Sequence, residues 1–228
     1  MAAGPGDLSR AQAVVAVVGR ALLIVFLLAL GLATAAFVDP ISRDVLVAAE
    51  TRSAPPEIHW RLSRALGSPA NGRLVRGVRL PAEGETFFTW DPLLHRVPNR
   101  GWRRWGTDRL VRLVLRMSRE YAAAHPDAPR LGIGDLSRQH GGPFGPKHAT
   151  HQNGLDVDVY YPRLDGLERP PKRVAQVDLE LAQDLVDRFV RAGVDLVYVG
   201  PNTGLRGPPG VVQVLWNHDN HLHVRIRP

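Results

Sequence analysis

The chain of 228 residues is 44% hydrophobic and 22% charged, which is typical of one globular domain with a sizeable core and a short appendage. Its net charge of +7 suits an anionic partner or solubility alone, but scattered arginines and the lack of any helix-turn-helix, zinc-finger or RNA-binding signature argue against nucleic acid. The absence of cysteine excludes disulfides and thiolate metal sites, so a transition metal would have to bind imidazole and carboxylate.

The first predicted element is an apolar segment near the N-terminus. Residues 21–38 form an 18-residue run without charge, long enough to cross a bilayer as a helix, and Arg10 and Arg20 before it favour a cytoplasmic N-terminus. We expect residues 1–38 to be a signal anchor retained in the cytoplasmic membrane, because the run exceeds a usual signal peptide's apolar region. The alternatives are a signal peptide cleaved at the Ala-Thr-Ala sequence of residues 33–35, or a buried core helix. Both leading interpretations export the rest of the chain.

A linker is predicted next, over residues 39–56, because Pro40, Pro55 and Pro56 stand among small and charged residues. The globular domain is then expected to occupy residues 57–228.

The domain is predicted to be α+β. A helix is expected over residues 108–124, capped by Thr107, because apolar residues recur on one face, and a second over 178–192, ending at Gly193. Helices and strands do not alternate regularly, which favours a mainly antiparallel sheet flanked by helices over repeated βαβ units. Strands are expected at residues 74–80, 86–90, 131–134, 155–161, 195–199, 211–216 and 221–227.

Five of the nine histidines fall into two short segments, and the first of these leads into a strand. Alternation along residues 155–161 directs Asp156 and Asp158 to one face of that strand. Two carboxylates on an otherwise apolar strand need a cation, a metal or several hydrogen-bond donors, so this face should line a polar cleft. Gly154 permits a turn that would fold His151 back over the strand.

The second segment, residues 218–227, predicts a strand with His221 and His223 on the same face. One of these imidazoles can bind a metal while its neighbour faces the water bound to that metal. A catalytic zinc needs three protein ligands and an open position, which imidazole and carboxylate can supply together. The alternative is a set of polar surface histidines. No His-Glu-x-x-His motif occurs, which excludes a zincin-type helix.

These two segments resemble the penicillin-insensitive murein endopeptidases, within a broader group that includes lysostaphin-type and D-Ala-D-Ala metallopeptidases. The resemblance covers roughly residues 65–228, and its two histidine motifs are the specific part. The matching stretches are Gly132–Asp135 (GIGD), His148–Asp158 with its HQNGLDVD core, His218–Pro228 (HDNHLHVRIRP) and, more weakly, Gly67–Gly72.

The resemblance implies a role for each candidate residue. His151, Asp158 and His223 would be the ligands of one catalytic Zn²⁺. His221 would act on the attacking water or bind the oxyanion, and His218 would share this work. His148 matches a motif position, and Asp156 would be a carboxylate that orients a ligand histidine or a nearby loop, with plain hydrogen bonding at the strand end as the alternative.

The implied activity is zinc-dependent hydrolysis of the D-alanyl-diaminopimelyl cross-links of peptidoglycan. Zinc would lower the pKa of its bound water toward about 7 and polarise the scissile carbonyl. The expected partners are peptidoglycan stem peptides and, through the N-terminal helix, the cytoplasmic membrane; the expected location is periplasmic or otherwise extracytoplasmic. Two alternatives stay open: a D,D-carboxypeptidase or L,D-peptidase acting on stem peptides, and a non-catalytic, membrane-tethered wall-binding module.

Overall fold

A computed structural model of the chain describes residues 57–145 and 148–228. The predicted signal anchor (1–38) and linker (39–56) lie outside these ranges. Within them, no helix combines the length and the apolar character needed to cross a membrane. The described chain is a mixed α+β structure with two α-helices and more strand than helix elements, which agrees with the predicted fold class.

The two α-helices are α1 (Asp108–Ala124) and α2 (Leu179–Arg191), and short 3-10 helices occur at Gly101–Arg103 and Val174–Gln176. The strands are β1 (Arg64–Ser68), β2 (Asn71–Val75), β3 (Val78–Arg79), β4 (Phe87–Thr89), β5 (Trp105–Gly106), β6 (Leu131–Ile133), β7 (Asp156–Tyr160), β8 (Leu196–Val199), β9 (Val212–Val214) and β10 (His221–Arg225).

Both helices begin where side-chain caps satisfy their first amide groups. The Thr107 hydroxyl accepts a hydrogen bond from the amide of Leu110, and the Asp178 carboxylate accepts one from the amide of Leu181. After α2 the chain turns at Gly193, whose φ of 75° suits a residue without a Cβ atom. The caps and apolar stripes that predicted these helices from sequence therefore give their observed bounds to within one residue.

The main sheet has six strands in the order β4-β6-β7-β10-β8-β9. Strand β10 lies between β7 and β8 and runs antiparallel to both, and β6 also runs antiparallel to β7. Parallel pairs occur only at the two edges of this sheet, β4 with β6 and β8 with β9. The predicted antiparallel character thus holds for the central strands.

The two faces of the central strands differ in chemistry. Val157 and Val159 of β7, with Leu222 and Val224 of β10, are fully buried and belong to the hydrophobic core. The buried stripes of both helices join the same core, so α1 and α2 cover this face. Because successive side chains point to opposite sides of a strand, the intervening aspartates and histidines lie on the other face.

The predicted strand at residues 74–80 is interrupted in the structure. β2 ends at Val75 because Arg76 has a φ of 52°, outside the extended region. Strand β2 pairs with β1 in a hairpin, whereas β3 pairs with β5. Neither β1 nor β5 was predicted from the sequence, because each is stabilised by pairing, with β2 and β3 respectively, and has no apolar strand pattern of its own.

Candidate metal centre

His151, Asp158 and His223 converge on the polar face of the sheet, with one possible ligand atom from each within 4.8 Å of the others. Nε2 of His151 lies 3.3 Å from Oδ1 of Asp158, and Nδ1 of His223 lies 3.1 Å from the same oxygen. All three side chains are buried. Two imidazoles and a carboxylate in this arrangement are a donor set that suits Zn²⁺.

Two backbone devices bring the cluster together. The register of β7 and β10 places Asp158 directly opposite His223. His151 reaches the same point because the chain bends back over the sheet, with left-handed φ angles of 68° at His151 and 76° at Gly154. The amide of Thr107 donates to the carbonyl of Gly154 at 2.9 Å, which ties this bend to the start of α1.

The hydrogen bonds of the two imidazoles fix which nitrogen faces the carboxylate. A ring nitrogen that contacts a carbonyl or carboxylate oxygen must carry a hydrogen. Nδ1 of His151 donates to the carbonyl oxygen of Leu136 at 2.6 Å, and Nε2 of His223 donates to Oδ1 of Asp156 at 3.0 Å. The other nitrogen of each ring contacts Oδ1 of Asp158, so this trio holds either protonated rings or neutral rings with a cation between them and the carboxylate. Such a trio is stable only with a positive charge among its members, and a divalent cation fits it.

The pKa values of His151 and His223 are both raised by the negative charge around them. Burial by itself lowers the pKa of His151, but Asp158, followed by Asp156 and Asp135, outweighs burial and raises it to about 9. The pKa of His223 is also raised, because hydrogen bonds to Asp156 and Asp158 outweigh its burial. Clustered carboxylates therefore make this part of the cleft attractive to cations.

Asp156 forms hydrogen bonds with two of the three candidate ligands. Its fully buried carboxylate accepts from Nε2 of His223, from the backbone amide of His151 at 3.2 Å and from Nε of Arg225 at 2.7 Å. Burial would raise the pKa of Asp156, but His223, His151 and Arg225 lower it to about 2. This carboxylate thus contacts one ligand candidate through the ring and another through the backbone.

His221 and His218 lie beside the cluster and not within it. Nε2 of His221 is 3.8 Å from Oδ1 of Asp158, while its Nδ1 donates to Oδ1 of Asn220 at 2.6 Å. The rings of His218 and His221 have centroids 4.7 Å apart. Burial, with neighbouring imidazoles, lowers the pKa of His221 to about 4 despite the opposing charge of Asp158, so this ring is neutral at pH 7.

The segment that carries His218 is tied to two other loops. Nδ1 of His218 donates to the carbonyl of Trp216 at 2.8 Å. The Tyr161 hydroxyl donates to the carbonyl of His218 at 3.1 Å and accepts from the amide of Gly200 at 3.3 Å. A Cβ atom on Gly200 would come within 2.3 Å of Oδ1 of Asp219, so only glycine permits this close approach of the loops.

His148 contacts a neighbouring group centred on Asp135. Nε2 of His148 lies 3.1 Å from Oδ2 of Asp135, and these two residues with Asp158 form a second group of potential metal ligands. The buried guanidinium of Arg103 already binds both oxygens of Asp135, one of them at 2.6 Å. Because Arg103 neutralises this carboxylate, a second cation would be poorly matched here.

Two contacts of the candidate site were not predicted from the sequence: the pair of Arg103 with Asp135, and the Leu136 carbonyl that accepts from His151. Arg103 ends a short 3-10 helix that has no periodic sequence pattern, and a backbone carbonyl leaves no signature in the sequence. The GIGD motif did include Asp135, but gave no indication that its partner would be an arginine 32 residues earlier.

Comparison with known proteins gives one consistent result. A family model described as penicillin-insensitive murein endopeptidase matches residues 65–197. A penicillin-insensitive murein endopeptidase of Salmonella paratyphi C (strain RKS4594) is 33% identical over 131 residues, which is 55% of this chain and 41% of that protein. The protein of the same name from Salmonella newport (strain SL254) is 32% identical over 128 residues, which is again 55% of this chain and 41% of that protein. The match thus spans less than half the length of these curated relatives, and the family match ends before His221 and His223.

Proposed function

Because this chain belongs to the penicillin-insensitive murein endopeptidase family, we propose that it is a zinc-dependent peptidase that hydrolyses D-alanyl-diaminopimelyl cross-links of peptidoglycan. The observation that carries the proposal is the buried convergence of His151, Asp158 and His223, with one possible ligand atom from each within 4.8 Å of the others. The names of the relatives favour a murein substrate.

His151, Asp158 and His223 would hold the ion, through Nε2, a carboxylate oxygen and Nδ1. When bound, zinc would supply Lewis-acid chemistry, acidifying water and polarising the scissile carbonyl. Asp156 keeps the ring of His223 in one tautomer and one orientation, since it accepts the hydrogen of Nε2. The carbonyl of Leu136 does the same for His151.

His221 is the proposed general base. Its Nδ1 hydrogen is engaged by the side-chain oxygen of Asn220, so Nε2 is left to accept a proton on the side that faces Asp158. His218 is proposed to bind the developing oxyanion, because its Nδ1 is held by the carbonyl of Trp216 and its ring lies against that of His221. The two imidazoles would thus divide proton transfer and charge stabilisation.

We further propose that the enzyme acts outside the cytoplasm, anchored in the cytoplasmic membrane through residues 1–38. The uncharged run at 21–38, with arginines before it, supports this location.

Digestion of purified cross-linked muropeptides, analysed by mass spectrometry, tests the proposed activity. The zinc-loaded protein should convert dimers into monomers, chelation should stop the reaction, and added zinc should restore it. Loss of only a terminal D-Ala would identify a carboxypeptidase, and cleavage within the stem peptide would identify an L,D-peptidase. Binding to the wall without hydrolysis by zinc-loaded protein would favour a non-catalytic wall-binding module.

A further inference from the structure

Two aromatic residues, Phe144 and Trp102, form a ledge that extends outward from the metal centre on the side of His151. The ring of Phe144 has its centroid 5.6 Å from that of His151, and the ring of Trp102 lies 5.5 Å from Phe144. Phe144 is buried, whereas 38% of Trp102 is exposed. The ledge therefore joins the buried cluster to the surface of the molecule.

Three arginines surround Trp102, and two of them are already neutralised. The guanidinium carbons of Arg103, Arg138 and Arg100 lie 4.9, 5.0 and 5.7 Å from its ring centroid, within the range of cation–π contact. Arg103 binds Asp135, and Arg100 binds Asp91 at 2.5 Å. These two arginines form the fixed surroundings of the tryptophan.

Arg138 is different, because no carboxylate in the described part of the chain pairs with its charge. Its side chain is exposed, and Nη2 donates to the carbonyl of Phe144 at 3.3 Å. Across residues 57–145 and 148–228, no carboxylate forms an ion pair with it. The stacked indole and the Phe144 carbonyl orient the guanidinium, which reduces the entropy lost when it binds a ligand.

The spacing places this group within reach of a bound peptide. An extended peptide advances about 3.4 Å per residue, so the path from the ring of His151 through Phe144 to Trp102, in steps of 5.6 and 5.5 Å, is at most about three residues long. A guanidinium with free donors is the side chain that best matches a carboxylate, through paired hydrogen bonds. A peptide that leaves the metal centre past the exposed part of Trp102 would bring an acidic substituent to Arg138.

We propose that Trp102 and Arg138 form a subsite that binds a free carboxylate of an acidic stem peptide, within about three residues of the metal centre. This inference rests on the proposed function for the identity of the peptide. The subsite would make the enzyme prefer stem peptides with a free carboxylate to the same peptides with that carboxylate amidated.

The test uses one cross-linked peptide dimer in two forms, with its stem carboxylates free or amidated. Cleavage is followed with the zinc-loaded full-length protein, and binding of both forms is measured by calorimetry with the His221→Ala variant, in which hydrolysis is expected to be lost. Each measurement is repeated with Arg138→Gln, Arg138→Lys and Arg119→Gln. Arg119 is an exposed arginine of α1 on the opposite side of the sheet, so its substitution controls for the change in net charge.

We expect Arg138→Gln to weaken binding of the free-carboxylate dimer about tenfold and to leave the amidated dimer unchanged. Arg138→Lys should recover only part of the loss, because an ammonium group cannot form the paired contact. Arg119→Gln should bind both dimers as tightly as the protein without this substitution. The thermal midpoint of each variant checks that it is folded.

Binding of the dimers tests the subsite, and their cleavage tests the proposed endopeptidase activity. Equal binding of the free and amidated dimers overturns the carboxylate subsite, even if both dimers are cleaved. A binding preference that depends on Arg138, without cleavage of either dimer, retains the subsite and overturns the endopeptidase. Equal losses in Arg138→Gln and Arg119→Gln overturn the subsite in favour of long-range charge attraction.

Discussion

Asp158 and His223 are direct cross-strand partners on the two central antiparallel strands, with Nδ1 of His223 3.1 Å from Oδ1 of Asp158. Side chains that face each other across an antiparallel pair are held at a separation set by the backbone hydrogen bonds. The sheet thus fixes two of the three candidate ligands, and the bend at His151 and Gly154 supplies the third.

Substitution of single cluster residues should separate metal binding from turnover. We expect Asp158→Ala and His223→Ala to lose bound zinc, because two donors cannot replace three. His221→Ala should retain the metal and lose activity, since its ring lies beside the cluster. Zinc content by mass spectrometry, together with the rate of muropeptide cleavage, checks both. A His221→Ala protein with a rate near that of the unmodified enzyme would refute the general-base assignment.

Asp156→Asn should weaken zinc binding without removing any ligand. An amide can still fill the space, but it loses the charge that holds the ring of His223 and the amide of His151. We expect a 10- to 100-fold loss of zinc affinity, roughly the range for partners of metal-binding histidines, measured by competition with a chelator. Asp195→Asn is the control, because the carboxylate of Asp195 is exposed and pairs with Arg227 and not with a candidate ligand. Similar losses in both variants would mean that net charge alone sets the affinity.

Gly154→Ala should be more destabilising than Gly166→Ala. Both glycines have positive φ angles, 76° and 68°, but a Cβ atom at 154 would meet the side chain of Leu74 at 2.9 Å and the amide nitrogen of Thr107 at 3.1 Å. At Gly166 nothing lies within 4 Å of it. We expect a loss of about 1 kcal/mol at Gly166 from backbone strain and about 1–3 kcal/mol more at Gly154 from overpacking. Denaturant unfolding measures both, and equal losses would show that packing at the bend is unimportant.

Two buried tyrosines should respond differently to loss of the hydroxyl. Tyr161→Phe removes the link between Gly200 and His218, which should cost about 1–2 kcal/mol of unfolding free energy and slow turnover by loosening His218. Tyr121→Phe should be neutral or slightly stabilising, because its buried hydroxyl has no hydrogen-bond partner among the residues that the structure describes. Thermal unfolding and cleavage rates test the pair, and equal effects would contradict the role of the Tyr161 bridge.

Asp91 should contribute stability that acid removes. Burial alone raises its pKa, but hydrogen bonds from Arg100 and from the amides of Leu94 and Leu93 outweigh burial and hold the pKa below its usual value. A carboxylate whose pKa is lower in the folded state stabilises the fold above its unfolded-state pKa, and this contribution is lost as the pH falls through the folded-state pKa. The free energy of unfolding, measured from pH 5 to pH 2, should therefore fall less steeply in Asp91→Asn. An identical slope in both proteins would refute this linkage.

The sequence was most informative where a feature depends on neighbouring residues. Thr107 and the apolar stripe after it predicted α1, and strict alternation predicted which face of β7 carries Asp156 and Asp158. The pairing of β7 with β10 could not be predicted, because alternation sets the face of each strand and not its partner or register. The same limit applies to Arg103, whose partner Asp135 is brought close only by tertiary packing.

The predicted strand at residues 74–80 was wrong in its middle for a related reason. Apolar residues on both sides of the break satisfy a strand pattern, but Arg76 adopts a left-handed conformation and the two halves pair with different strands. Tertiary contacts therefore override local preference here.

The insertion of β10 between β7 and β8 has a consequence for the timing of assembly. A chain that has folded only as far as β9 would leave a gap in the middle of its sheet and could offer only His151 and Asp158 to an ion. The candidate metal site would then be completed in the same step that closes the sheet, so a half-folded molecule would lack one of its three candidate ligands.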